Sequence, residues 1–178
     1  MSSERFLEIF PEWLRTLGGD VTVLGAALAD ETAPESARRA IAGGLNYVFK
    51  SVDLIPDGID DIGYLDDAFI LRVASAQAVA AGLSAEAHGA VAALAADTAT
   101  VKDFLAAEYS RLERYASGLQ KGAARGRSVD DIVTKSGVRE ELLSDARAFS
   151  REYAAPPFTR EERTLIKLRA FFDARLPR

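Results

Sequence analysis

Phe6, Ile9, Phe10, Trp13, Leu14 and Leu17 recur at intervals of three and four residues, the spacing that lines one face of an α-helix. Similar stripes return along the chain, down to Leu165, Leu168, Phe172 and Leu176. Alternating β-branched runs, the mark of a half-buried strand, are absent. Helical stripes must be buried against one another, so the pattern predicts an all-α, multi-helix bundle of about seven to nine helices. A chain of 178 residues can bury a real core. With 48% hydrophobic and 28% charged residues, wholesale disorder is not expected.

Breakers and caps divide the stripes. Pro11 lies inside the first and is expected to kink or restart that helix. Asp20 is placed to cap a short helix reaching residue 29, and Thr32, followed by Pro34, a longer one reaching about residue 49. Residues 64–83 read as a buried helix. Ser84 opens the next, and Asp97 or Thr98 starts another that ends near residue 119. The basic, glycine-punctuated KGAARGRS at 121–128 is the best linker candidate. It separates a bundle at 1–122 from C-terminal helices at 128–178 that pack on it. In the latter, Ser128 with Asp131 forms a capping-box variant and Gly137 marks a helix end. A helix over 138–153 is stopped by Pro156 and Pro157, and Thr159 with Glu162 caps the last one.

Charge and composition narrow the function. There is no cysteine, hence no disulfide framework and no thiolate site. The N-terminal stretch carries acids and no long apolar run, so a signal peptide is not expected and a cytoplasmic location is. The most apolar stretch, 68–83, is interrupted by Arg72 and Gln77 and falls short of the ~20 apolar residues a spanning helix needs. Residues 1–90 carry 6 Lys+Arg against 14 Asp+Glu, whereas residues 91–178 carry 16 against 13. So acidic a first half does not suit nucleic acid or an anionic membrane surface. His88 is the single histidine, and no G-x-S-x-G elbow, P-loop or dinucleotide fingerprint accompanies it. Gly43-Gly44, inside a helical pattern, reads as a place of close helix packing.

The most unusual segment is VDLIPDGIDDIGYLDD, residues 52–67, with six aspartates among Leu54, Ile55, Ile59, Ile62 and Leu65. Asp66 and Asp67 fall in the first turn of the following helix, where free N–H groups and the helix dipole favour negative charge by ~0.3–1 kcal/mol each. Asp60 or Asp61 is placed to cap the same turn, and Asp57-Gly58 is a turn dipeptide. What remains is like charge on a short loop, which needs compensation from Lys50, Arg72, basic groups of the second half, or a bound cation. Clustered aspartates suit hard cations such as Mg2+, Mn2+ or Ca2+, although the spacing is not that of an EF-hand.

At this loop the chain resembles the YkvA-like proteins, a bacterial family of unknown function. The residues that carry the resemblance are Ser51, Asp53-Leu54-Ile55-Pro56-Asp57 and Gly63-Tyr64-Leu65-Asp66-Asp67, and it extends over about 41–79. Val52 and Asp60 stand where the family commonly has prolines. The resemblance implies a helical hairpin around an aspartate-rich turn, and it singles out Asp53, Asp57, Asp66 and Asp67, with Tyr64 beside them. It implies no reaction. Many relatives have more apolar flanking helices that look membrane-associated, a property Arg72 and Gln77 do not favour here.

Three functional classes follow. The leading one is a non-catalytic scaffold or partner-binding module, acting on a protein partner or on a second copy, with the aspartate loop structural. The second is a divalent-metal protein, or a metal-dependent hydrolase, with Asp53, Asp57, Asp66 and Asp67 as ligands. The third is a DNA-binding regulator using a helix-turn-helix-like segment at 128–149, weakened by Glu140 and Glu141 at the start of its second helix.

Overall fold

The first apolar stripe does not stop at Pro11. In the computed structural model, which describes residues 3–59 and 61–178, α1 runs unbroken over Glu4–Ala29. A proline inside a helix costs ~3 kcal/mol. That is outweighed by a face that stays buried from Phe6 to Leu28, since each large apolar side chain removed from water gains ~1.5–3 kcal/mol. Asp20, expected as a cap, is therefore a buried mid-helix residue.

The other elements are α2 (Glu35–Val48), α3 (Leu65–Ala80), α4 (Gly89–Ala96), α5 (Thr98–Leu105), a 3-10 turn (Ala106–Glu108), α6 (Tyr109–Leu119), β1 (Ala123–Ala124), β2 (Arg127–Ser128), α7 (Val129–Thr134), α8 (Ser136–Glu152) and α9 (Glu162–Arg175). The all-α bundle is as expected; several boundaries are not. Thr32 does not cap α2: its N–H and hydroxyl both donate to Asp30 Oδ1, and Pro34 precedes the helix. Ser84 accepts from the Ala87 N–H, but the helix proper begins at Gly89. The helix expected over 98–119 breaks at Ala106, where φ is 51°. The presumed linker forms a two-residue antiparallel pairing of β1 and β2 around Arg125 and Gly126, both at positive φ, as a tight hairpin turn requires. Ser128 does cap α7. Gly137 lies in the first turn of α8 rather than at a helix end.

Gly43 and Gly44 let the bundle close. A Cβ on Gly44 would stand 2.7 Å from the Ala74 Cβ of α3, and one on Gly43 would stand 3.2 Å from the Leu119 backbone of α6. The α2–α3 pair, the most extensive helix contact, thus forms the hairpin that carries the aspartate loop. α1 packs on α2, α3 and α8, and α7 packs on α2. At one end, Phe6, Phe10, Trp13, Phe69, Phe104 and Phe172 form a continuous ring cluster.

Arg72 crosses this core at 2% exposure. It lies over the Trp13 ring at 3.9 Å, and its guanidinium bonds Asp97 (3.1 Å), Asp20 (3.4 Å) and the Ala68 carbonyl (3.0 Å). Two acids, an arene and a carbonyl hold a cation that would otherwise be costly to bury. No helix among the described residues is long and apolar enough to cross a membrane.

Candidate metal centre

Three short backbone links shape the aspartate loop. The Ile59 N–H donates to the Pro56 carbonyl, Gly63 N–H to Ile59, and Leu65 N–H to Ile62. Gly63 is required by close approach, because a Cβ there would collide with the carbonyls of Asp57 and Ile59. Tyr64, at φ 68°, then turns the chain into α3. This compact turn presents Asp66 and Asp67 inward from the first turn of α3 while Asp57 reaches the same point from the loop.

One carboxylate oxygen from each of Asp57, Asp66 and Asp67 lies within 4.8 Å of the other two. Asp66 is 0% exposed and Asp67 2%, whereas Asp57 lies at the surface. Oxygens sharing one ion at 2.0–2.6 Å stand within about 4–5 Å of each other, so the spacing suits a single hard cation. Asp53 is not part of this trio, although its Oδ1 is buried and lacks a hydrogen-bond partner among the described residues. Asp60 lies outside the described residues. Asp61, the other expected cap, instead accepts from the Thr159 hydroxyl at 2.6 Å; Thr159 consequently does not cap α9.

Each oxygen of Asp66 has a different environment. Its Oδ2 accepts from the Tyr47 hydroxyl and, at 3.1 Å, from the Ile55 N–H. The Tyr47 oxygen in turn accepts from the Leu54 N–H at 2.7 Å. Tyr47 thereby ties the end of α2, the loop and the start of α3 together. Sequence reasoning passed over this residue; its only signal was a buried-class helix position carrying a hydroxyl. By contrast Asp66 Oδ1 and Asp67 Oδ2 are buried and have no partner among the described residues.

No arginine or lysine pairs with the cluster among the described residues. Arg72, a proposed compensator, serves Asp20 and Asp97. Lys50 bonds the Tyr115 hydroxyl at 3.3 Å and reaches Asp53 only through its field. The acids are therefore held above the usual carboxylate range. Burial pushes Asp66 up to about 6, partly offset by the bonds from Tyr47 and Ile55. Burial and then the charges of Asp66, Asp57 and Asp53 push Asp67 well up. Asp53 rises to about 7, through burial and then Asp57 and Asp66. Partial burial raises Asp57 as well. Tyr64 packs edge-on against Tyr153 at 5.3 Å, and Asp57 and Tyr64 also line a 240 Å³ cleft with Arg125, Asp145 and Glu152.

A raised carboxyl keeps its proton in the folded state after the unfolded chain has released it. The folded state then binds more protons, and stability falls as pH rises from the ordinary value to the raised one. For Asp53 that window runs from 3.8 to about 7. In metal-free protein, the melting temperature of Asp53→Asn relative to the parent is expected to climb across this window and level off above it. Parallel melting curves throughout would show that Asp53 titrates normally.

Fold and site together define a class: an all-α protein with a buried carboxylate cluster at the turn of its central hairpin. Residues 37–72, about a fifth of the chain, are similar to a family described only as a protein of unknown function, DUF1232. The matched segment spans most of α2, the loop and the first half of α3, and so includes Tyr47 and all four candidate aspartates. No curated protein and no solved structure matches the chain.

Proposed function

We propose that this protein binds a divalent cation of the Mg2+, Mn2+ or Ca2+ type at the α2–α3 turn, with Asp57, Asp66 and Asp67 as ligands and Asp53 adding negative field. The observation that carries the reading is the convergence of three carboxylates, two of which also carry a buried oxygen without a hydrogen-bond partner among the described residues. Like charges converging without a basic neighbour suit oxygen-seeking cations. The scaffold reading accounts for Asp66 Oδ2, which fastens the hairpin through Tyr47 and Ile55. It leaves Asp66 Oδ1 and Asp67 Oδ2 unexplained, and buried polar atoms without partners cost ~1–3 kcal/mol each.

The resemblance to YkvA-like proteins singles out the same four aspartates. The DNA-binding alternative draws little support from α7 and α8: Arg139 is buried, bonding the Ile132 and Val133 carbonyls and Glu31, while Glu140 and Glu141 are exposed.

Chelator-stripped protein should melt higher when Mg2+, Mn2+ or Ca2+ is added. A cation at ~100 times its dissociation constant stabilises the folded state by about 2.7 kcal/mol, which in a domain of this size is roughly 5–11 °C. Asp57→Asn, at an exposed position, should remove most of the rise. Identical melting with and without all three cations would overturn the proposal.

A further inference from the structure

On the opposite side of Tyr47 lies a second feature of different chemistry. A cleft of 360 Å³ opens between α2 and α6 and is closed by β1 and the residues after α9. Its volume falls in the range of small-molecule sites. No aspartate or glutamate side chain lines it, whereas Lys50, Arg111, Arg114 and Arg178 do. Arg111 is neutralised: it pairs with Glu108 and Asp173 and bonds the Asp173, Leu176 and Pro177 carbonyls, so it anchors the third wall. Lys50 and Arg114 have no carboxylate partner among the described residues.

The walls are suited to a flat body. Tyr47 and Tyr115 meet edge to face at 6.0 Å, and the Lys50 ammonium lies 5.5 Å from the Tyr115 ring centre. Asn46 in the lining donates through Nδ2 to the Arg127 carbonyl at 3.0 Å, leaving its Oδ1 buried and without a partner among the described residues. An acceptor of this kind calls for a hydrogen-bond donor. Gly118 supplies the room: a Cβ there would meet nothing within 4 Å.

We propose that this cleft binds a small organic anion, a planar or aromatic body carrying a carboxylate, sulfonate or phosphate and a hydrogen-bond donor. Lys50 and Arg114 take the anionic group through charge-assisted bonds, the Tyr115 ring, backed by the buried Tyr47, takes the body, and Asn46 Oδ1 takes the donor. The ligand contacts involve no aspartate, although Tyr47 and Lys50 also touch the aspartate loop, by the bond to Asp66 and by the field at Asp53.

The probe is 1-anilinonaphthalene-8-sulfonate, an arene with an anionic group and an N–H, titrated into the full chain by fluorescence with chelator present. N-phenyl-1-naphthylamine, the same ring system without the sulfonate, is the neutral control. One sulfonate dye per chain should bind, about tenfold or more tighter than the control. Combining Lys50→Met with Arg114→Met should remove that preference and leave binding of the neutral dye unchanged. Gly118→Leu should abolish binding of both dyes while circular dichroism shows an undiminished helical melt, since leucine is the better helix former. Equal affinity for the two dyes in the parent, a sulfonate preference that survives the double variant, or sulfonate binding that survives Gly118→Leu, would overturn the proposal.

Discussion

Metal-free protein carrying Asp67→Asn should melt above the metal-free parent at neutral pH and should no longer respond to added cation. Asp67 is 2% exposed, and its Oδ2 has no partner among the described residues. Neighbouring Asp66 and Asp57 hold its carboxyl well above the usual range, after burial itself. An asparagine in its place carries no charge to desolvate, and its amide N–H groups offer donors to the unpartnered Asp66 Oδ1. Relief of one unsatisfied buried group is worth ~1–3 kcal/mol, or roughly 2–12 °C at ~2–4 °C per kcal/mol for a chain of this length. The parent, saturated with cation, gains about 2.7 kcal/mol or more; the variant gains nothing. A scaffold aspartate predicts the opposite sign, since removing a capping or ion-pairing charge lowers the melting temperature whatever the cation. A variant that melts below the metal-free parent would therefore return the loop to a purely structural role.

The second large effect lies away from the loop. Arg72→Met should lower stability by ~3–5 kcal/mol, the range found when one partner of a buried ion pair is removed, or roughly 6–20 °C. Methionine fills much of the space and keeps an apolar contact with Trp13. It cannot bond Asp20, which is 8% exposed, nor the Ala68 carbonyl. Asp20 already sits above the usual carboxylate range through burial, a rise that Arg72 limits; without Arg72 it must stay protonated or unpaired. Adding Asp20→Asn to the methionine variant should restore part of the loss, because the buried charge is then gone. A loss below ~1 kcal/mol for Arg72→Met would mean that Arg72 is held by packing alone. Cation binding at the loop should be unchanged in this variant, which separates core stability from the site.

How far each part was legible depended on the range of the interactions behind it. The apolar stripe of α1 was visible residue by residue, but whether Pro11 would end it was not: that turned on how much burial lay beyond the proline. Ser128 capped α7 as expected because the bond spans three residues. Thr159, with an equally good local pattern, bonded Asp61 instead, 98 positions away. Arg72 and Lys50 were reasonable compensators for the aspartates by proximity in sequence, yet Arg72 faces the other way around its helix, toward Asp20 and Asp97. The basic residues of the second half are divided by the fold: Arg111, Arg125 and Arg127 pair with acids, while Arg114 lines the cleft.

By itself, then, the sequence determined the helical class, because periodicity and turn chemistry act over a few residues, while the hairpin and the four aspartates to watch were what the family resemblance over 41–79 implied. Tertiary structure alone decided which oxygens are satisfied. Tyr47 and the Ile55 N–H claim one oxygen of Asp66, Asp53 stands outside the trio, and no cation among the described residues pairs with Asp66 or Asp67. Local pattern places a carboxylate on a turn. Whether it finds a partner depends on which distant groups the fold brings within hydrogen-bond range, and that distance is set by packing.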